Sequence, residues 1–109
     1  MSTRSHIIGR VGEAVAVRFL AERGCRIIGR NVRRDGGEID VVVDDAGTIA
    51  AVEVKTTMSE TDGLERVDQR KWDVVYRTGT ATGPIARYDV VTVGIHHDGA
   101  IVRWLRGVE

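Results

Sequence analysis

The stretch that decides the fold of this 109-residue chain runs from residue 37 to residue 56 and reads GEIDVVVDDAGTIAAVEVKT. Its two halves are rich in β-branched residues, as strands are, and the sequence DDAG between them is a turn signal. A two-residue turn centred on Ala46 and Gly47 places Asp45 opposite Thr48. The stretch therefore predicts an antiparallel hairpin.

The register of this hairpin gathers charged residues. Continued from the turn, it sets Asp40 opposite Glu53 and Glu38 opposite Lys55, with all four side chains on one face and opposed Cβ atoms ~5 Å apart. One amine facing three acids leaves an excess of negative charge, which a hard cation would balance. Carboxylate oxygens, the Val54 carbonyl and waters are ligands that Mg²⁺ or Mn²⁺ prefers. A ladder of surface ion pairs, Glu38 with Lys55 and Asp40 with an arginine, is the alternative, and the geometry alone leaves both open.

The rest of the chain predicts an α+β protein (an α/β-type three-layer arrangement) with a mixed central sheet and helices on its faces. The predicted order is α-β-β-β-α-β-β. Besides the hairpin, the predicted elements are a helix from about Gly9 or Arg10 to Arg23, a strand over 25–31, a helix from about Asp62 to Arg77, and strands over 87–95 and 100–105.

Glu13 stands out on the first predicted helix. On a helical wheel it lies on an apolar arc with Ala16, Val17 and Leu20, away from the other charged residues. A carboxylate that faces a core needs a partner. Two readings stay open: a site residue, or an acid that favours the helix dipole in the first turn.

Length and composition indicate one domain over residues 1–109. The single cysteine, Cys25, cannot form an internal disulfide, which favours a reducing cytoplasm. No stretch approaches the ~18 apolar residues of a membrane span, and no signal-peptide core follows the N-terminus. We therefore expect a cytoplasmic protein without a membrane partner.

Basic residues are distributed unevenly. Residues 1–37 carry a net charge of +5, which residues 38–109 cancel. Arg33 and Arg34 lie just upstream of the acidic motif, where they would suit a bound polyanion or simply form a solvated surface. Fourteen of the sixteen basic residues are arginine, and the only lysines are Lys55 and Lys71. Because lysine can lose its proton and arginine cannot, this usage hints that the two positions need lysine chemistry.

An ordered set of motifs resembles the YraN-like family of uncharacterised bacterial proteins, which is placed in the PD-(D/E)XK nuclease superfamily near archaeal Holliday junction resolvases. The similarity covers nearly the whole chain. The segments that carry it are Gly9-Arg10-Val11-Gly12-Glu13 with Ala16, Asn31, Gly37-Glu38-Ile39-Asp40, Val52-Glu53-Val54-Lys55-Thr56, Lys71, and Arg87-Tyr88-Asp89-Val90-Val91.

The resemblance implies a restriction-endonuclease-like core and a role for each site residue. It implies that Asp40 and Glu53 bind the metal ion, that Lys55 is the catalytic lysine, and that Glu13 reaches the same site from its helix. On the following helix, Gln69 or Lys71 would contact the scissile phosphate. Where the family commonly reads Lys-Thr-Arg, this chain has Thr57 in place of the arginine.

These observations predict an Mg²⁺- or Mn²⁺-dependent endonuclease acting on DNA, in particular branched or damaged DNA in repair or recombination. Resolvase-like relatives work as dimers, since two strands need two cuts, and we expect a homodimer on that ground. The alternative is a non-catalytic nucleic-acid-binding or partner-docking module that keeps the nuclease fold. The acid–acid–lysine set favours the enzyme, whereas the net charge of zero and the missing arginine favour the module.

Overall fold

A helix packed on a five-stranded mixed sheet makes up the described part of the chain. The computed structural model describes residues 3–34, 37–58 and 85–108. Its elements are α1 (Thr3–Glu22), β1 (Arg26–Arg34), β2 (Gly37–Asp45), β3 (Thr48–Thr57), β4 (Arg87–His96) and β5 (Gly99–Leu105). The fold is α+β, as predicted, and it is compatible with a restriction-endonuclease-like core. The second predicted helix lies outside the described residues.

Helix α1 is longer than the sequence predicted. It begins at Thr3 and not near Gly9, because a helical glycine costs only about 1 kcal/mol and residues 3–8 contain no proline. Its end was predicted correctly: Gly24 has a φ of +94° and follows the last turn. The Cys25 N–H donates to the Leu20 carbonyl at 3.0 Å, and the Gly24 N–H donates to the Ala21 carbonyl at 3.0 Å. This is a Schellman cap, which accounts for the sharp entry into β1. Within the described ranges, no helix has both the length and the apolar character that crossing a bilayer requires.

The strands follow each other across the sheet in the order β1-β2-β3-β4-β5. Only β3 and β4 run parallel, whereas the other neighbours are antiparallel. The β2–β3 turn has the two central residues that the sequence predicted, Ala46 and Gly47, with φ angles of 51° and 96°. The Gly47 N–H donates to Asp44 Oδ1 at 2.7 Å, and Asp45 pairs with Thr48. The predicted hairpin is therefore confirmed at its turn.

The two faces of the sheet bury different residues. Ala50 and Val52 pack in a core with Ala16 and Leu20 of α1, whereas Ala51, between them, packs in a second cluster with Ile39 and Val42. Since side chains alternate along a strand, the two clusters cover opposite faces. Helix α1 covers the first of these, which we call the helix face.

A buried aspartate secures the helix-face side of β4. Asp89 is fully buried, and both its oxygens accept hydrogen bonds from Arg87, at 2.8 and 2.9 Å. The Trp104 indole N–H donates to it at 3.0 Å, and the Gly107 N–H donates at 2.9 Å. Asp89 thus connects β4, β5 and the C-terminal segment through charge-assisted hydrogen bonds.

The same arginine also reaches the tip of the β2–β3 hairpin. Arg87 donates to Asp45 Oδ2 at 2.8 Å, and Arg106 donates to the same oxygen at 3.1 Å while stacking over the Trp104 ring at 3.7 Å. The hydrogen bond from Arg87 holds the pKa of the Asp45 carboxyl below its usual value. The carboxylates, Asp89 first, raise the pKa of Arg87, so this guanidinium stays charged.

Candidate metal centre

Strands β2 and β3 separate at Asp40. Their pairs run from Asp45–Thr48 to Val41–Val52, and the ladder ends there. Just beyond the last pair, the Val54 N–H of β3 donates to Asp40 Oδ2 at 2.8 Å. Where the strands part, a side chain of β2 thus accepts the hydrogen bond of a backbone N–H of β3. The Asp40 carboxylate therefore contacts the backbone of Val54, the residue that follows Glu53 in sequence.

The separation corrects part of the predicted register. The register itself is right as far as Val41–Val52, but neither predicted cross-strand pair, Asp40 with Glu53 or Glu38 with Lys55, forms in the ladder. Glu38 pairs instead with Arg33 of β1 at 3.0 Å. The physical reason is that the Asp40 side chain replaces further backbone pairing. Of the surface ion pairs in the alternative interpretation, the Glu38–Lys55 pair is replaced by the Glu38–Arg33 pair.

An unusual backbone conformation in β1 accompanies the change in β2. Asn31 has a φ of +51°, in the left-handed region, and its neighbours pair as Arg30–Val41 and Val32–Ile39, so it lies opposite Asp40. On β2, Val41 packs on the helix face and Ile39 in the other cluster, so the normal alternation breaks at the residue between them. Asn tolerates this region better than most residues. Asn31 lies opposite the aspartate of the candidate centre, and the sequence alone assigned it no role.

Glu53 and Lys55 lie on the face opposite α1, because they follow Ala51 at two-residue intervals along β3. Glu53 is only 1% exposed. The Lys55 Nζ lies 3.7 Å from Glu53 Oε1, and the Lys55 side chain is 19% exposed. Since burying a carboxylate is costly unless it is paired, the contact with Lys55 offsets part of the cost of burying Glu53. The candidate centre therefore consists of the Asp40 carboxylate, which accepts the Val54 N–H, and the paired side chains of Glu53 and Lys55, the residues on either side of Val54.

The donor set suits a hard divalent cation. Two carboxylates and the Val54 backbone carbonyl offer oxygen ligands only, which is the chemistry that Mg²⁺ and Mn²⁺ prefer. Across residues 3–34, 37–58 and 85–108, no three carboxylate, imidazole or thiol side chains are grouped to hold a metal ion. The ion would therefore keep several waters beside two carboxylates, as Mg²⁺ usually does.

Glu13 occupies a half-buried position on α1, next to a close helix–strand contact. At Gly12, an added Cβ atom would lie 1.8 Å from Thr56 Oγ1, so the helix backbone rests directly on the Thr56 side chain. Thr56 is adjacent to Lys55 in β3. Because α1 packs on the helix face, Glu13 does not share a sheet face with Glu53 and Lys55, and its role as a metal ligand stays a prediction.

The four residues predicted to bind substrate divide into two groups. Arg33 is exposed and pairs with Glu38, and Arg34 is the last residue of β1. Gln69 and Lys71 lie outside the described residues. Both arginines belong to the edge strand β1 and pair with Glu38 and Gly37, the β2 residues that precede Asp40.

Comparison with known proteins identifies the family. The family model described as "Uncharacterised protein family UPF0102" matches residues 12–93, a range that includes Glu13, Asp40, Glu53 and Lys55. A UPF0102 protein of Chlorobium phaeobacteroides is 40% identical over 107 residues, covering 90% of this chain and 84% of its own. One of Pelotomaculum thermopropionicum is 34% identical, covering 94% of this chain and 93% of its own. A third, of Desulfosudis oleivorans, is 43% identical over 96 residues, covering 78% of this chain and 76% of its own. The predicted family resemblance is confirmed: the chain belongs to the uncharacterised protein family UPF0102.

Proposed function

We propose that this protein is a divalent-metal-dependent endonuclease that hydrolyses phosphodiester bonds of DNA. The observation that carries the proposal is the opening between β2 and β3. There Asp40 Oδ2 accepts a hydrogen bond from the Val54 N–H at 2.8 Å, and the buried Glu53 has its Oε1 3.7 Å from the Lys55 Nζ. Two acids, a backbone carbonyl and an amine are the kinds of group that metal-assisted phosphoryl chemistry uses.

In this proposal Asp40, Glu53 and the Val54 carbonyl hold the ion. Glu13 lies on α1, across the sheet from Glu53, and keeps its predicted role as an additional acid of the site. When bound, Mg²⁺ or Mn²⁺ supplies Lewis-acid polarisation of a phosphoryl oxygen and lowers the pKa of a water molecule. The Val54 N–H donates to one oxygen of Asp40 and so orients the carboxylate. Burial of Glu53 keeps competing water away from its oxygens.

Lys55 is the catalytic amine of the proposed enzyme. Hydrolysis forms one bond from a water oxygen to phosphorus, breaks the bond to the leaving oxygen, and moves a proton from the water to that leaving oxygen. The Lys55 amine can accept the proton of the water, and the Lys55 ammonium can balance charge on the phosphoryl oxygens. Arginine could balance charge but could not accept the proton, and the chain uses arginine at fourteen of its sixteen basic positions.

The substrate class follows from the charges around the opening. Arg33 and Arg34 on β1, with Gln69 and Lys71 further along the chain, would contact the phosphates of a DNA strand. A net charge of zero gives little sequence-independent affinity for duplex DNA, which favours branched, flapped or damaged DNA, as in repair and recombination. Two cuts on paired strands would require a homodimer. Chromosomal DNA as substrate would place the protein in the cytoplasm, in keeping with a free Cys25.

Titration calorimetry with Mn²⁺ tests the metal centre. Asp40→Asn keeps an oxygen that can accept the Val54 N–H but removes the charge, so we expect wild-type protein to bind Mn²⁺ and the variant to bind it at least tenfold more weakly. The matched control is Asp44→Asn, the same change on the same strand. Asp44 pairs with Arg26 at 3.3 Å, away from the opening, and its loss should leave the affinity unchanged. Equal affinity in wild type and Asp40→Asn would contradict the proposed ligand.

Cleavage assays separate the enzyme from the second candidate, a non-catalytic nucleic-acid-binding or partner-docking module. That candidate draws support from the finding that no three metal-binding side chains are grouped among the described residues. Wild type, Lys55→Met and Asp40→Asn should be incubated with branched, flapped and single-stranded DNA in Mn²⁺. The enzyme requires cutting by wild type alone. DNA binding by all three proteins without any cutting would favour the module.

A further inference from the structure

Thr92 lies beside Lys55 on the sheet face that carries the candidate centre. Strands β3 and β4 are parallel, and their register pairs Lys55 with Thr92 and Glu53 with Val90. Neighbouring strands are ~4.8 Å apart, and paired residues project to the same face. The oxygen-bearing neighbours of Lys55 therefore include Glu53, two residues earlier on its own strand, and Thr92, across on β4.

The Thr92 hydroxyl is buried without a hydrogen bond from any described residue. Its residue is 0% exposed, and Oγ1 has no hydrogen-bond partner among the described residues. A buried hydroxyl without a hydrogen bond is costly, and valine would fill the same volume without that cost. Val90, two residues before Thr92 and on the same face of β4, is a fully buried valine. A threonine at this position therefore calls for a function of its hydroxyl.

The contact between Lys55 and Glu53 leaves room for such a function. At 3.7 Å, Nζ to Oε1 is longer than a hydrogen bond, so it attracts the ammonium without fixing its direction. An ammonium has three N–H donors and can bond to more than one oxygen. A divalent cation bound to Glu53 would weaken the attraction between the Glu53 carboxylate and the Lys55 ammonium.

We propose that Thr92 is a positioning residue whose hydroxyl oxygen accepts a hydrogen bond from the Lys55 ammonium when Glu53 is engaged with a divalent cation. This inference rests on the proposed function, because it supplies the second position that Lys55 occupies during the reaction. A hydroxyl suits this position better than a carboxylate, since it orients the ammonium without adding a negative charge that would compete for the ion.

The chain's two lysines make the hydrogen bond measurable. Protein labelled with ¹⁵N only at lysine gives two ammonium signals, from Lys55 and Lys71, and Lys71→Arg assigns them. Glu53→Gln removes the carboxylate charge without any metal. In that background Thr92→Val should speed exchange of the Lys55 ammonium protons with solvent at least threefold, whereas Thr92→Ser should keep the slow rate. Equal exchange rates in all three proteins would overturn the inference.

Two further measurements separate this inference from the proposed function. Thr92→Val removes only the hydroxyl, so a purely structural threonine predicts equal or greater stability with unchanged exchange and unchanged cleavage. Wild type that binds Mg²⁺ and cuts DNA no better than Thr92→Val refutes the positioning role and leaves the proposed function intact. Faster exchange in Thr92→Val, together with no Mg²⁺ binding by wild type, supports the hydrogen bond while the proposed function fails. Thr92→Ser, which keeps the hydroxyl, controls for changes in folding.

Discussion

The contact between α1 and β3 gives the sharpest test of how the fold positions the candidate centre. Gly12 faces Thr56 so closely that a Cβ atom built on it would lie 1.8 Å from Oγ1 and 2.7 Å from both Cβ and Cγ2. Because the Thr56 Cβ is fixed to the β3 backbone, a rotamer change cannot relieve the clash. Gly12→Ala must therefore push α1, and Glu13 with it, away from the strand.

A second glycine on the same helix supplies the control. An added Cβ at Gly9 would meet nothing within 4 Å. Gly9→Ala should therefore stabilise the protein by roughly 0.5–1 kcal/mol through helix propensity alone. Gly12→Ala gains the same propensity but overpacks the interface, which typically costs about 1–3 kcal/mol. The difference in unfolding free energy between the two variants thus isolates the steric cost.

Urea denaturation followed by circular dichroism measures both variants against wild type. We expect a higher midpoint for Gly9→Ala and a lower one for Gly12→Ala, with a gap of about 1–3 kcal/mol. Thr56→Gly should recover much of the loss in the double variant, because it removes the atoms that clash. Gly12→Ala that is as stable as Gly9→Ala would show that α1 does not rest on Thr56 and would refute the reasoning.

The remaining predictions concern the buried charges and the strand opening. Asp89→Asn should destabilise the protein by about 3–5 kcal/mol in urea denaturation, because it removes the charge that pairs with Arg87 and turns one accepting oxygen into a donor. Arg87 holds the pKa of Asp45 low, so ionised Asp45 adds stability above its unfolded pKa of ~3.9 and loses it as the pH falls through the folded value. The stability gap between wild type and Asp45→Asn should accordingly be present at pH 6 and vanish in acid; a constant gap would contradict the pairing. Asn31→Gly should keep Mn²⁺ binding, whereas Asn31→Val should cost roughly 1–2 kcal/mol of stability and weaken the binding, since valine resists a φ of +51°.

The sequence was sufficient to predict the hairpin because its signals are local. The turn residues Ala46 and Gly47 both adopt positive φ, and strand alternation carries the register from that turn to Val41–Val52. The Schellman cap at Gly24 is equally local, because one residue without a Cβ determines where the helix ends. Periodicity and turn residues predict the register of a hairpin only as far as its backbone pairing continues.

Beyond that point the structure depends on side chains that hydrogen-bond the backbone or each other. Neither alternation nor propensity could show that Asp40 accepts the Val54 N–H and ends the ladder. The left-handed Asn31 leaves only a weak signal, since asparagine is common in ordinary turns. The network around Asp89 joins residues far apart in the chain, such as Trp104 and Gly107, and no spacing rule connects them. Long-range polar contacts therefore account for most of what the sequence analysis missed.

These contacts also show which site residues stabilise the fold, whether or not the protein is an enzyme. Asp40 has a structural task, because its carboxylate satisfies the Val54 N–H where the strands part, so its presence alone does not argue for an enzyme. The 3.7 Å contact between Glu53 and Lys55, in contrast, joins two side chains of one strand. A buried ion pair can often be replaced by apolar residues with equal or better stability, and Ala51, on the same face of β3, is apolar and fully buried. A charged pair held 3.7 Å apart in a valine-rich strand is therefore the feature that function must explain, and it is the part of the site that the nuclease proposal uses most directly.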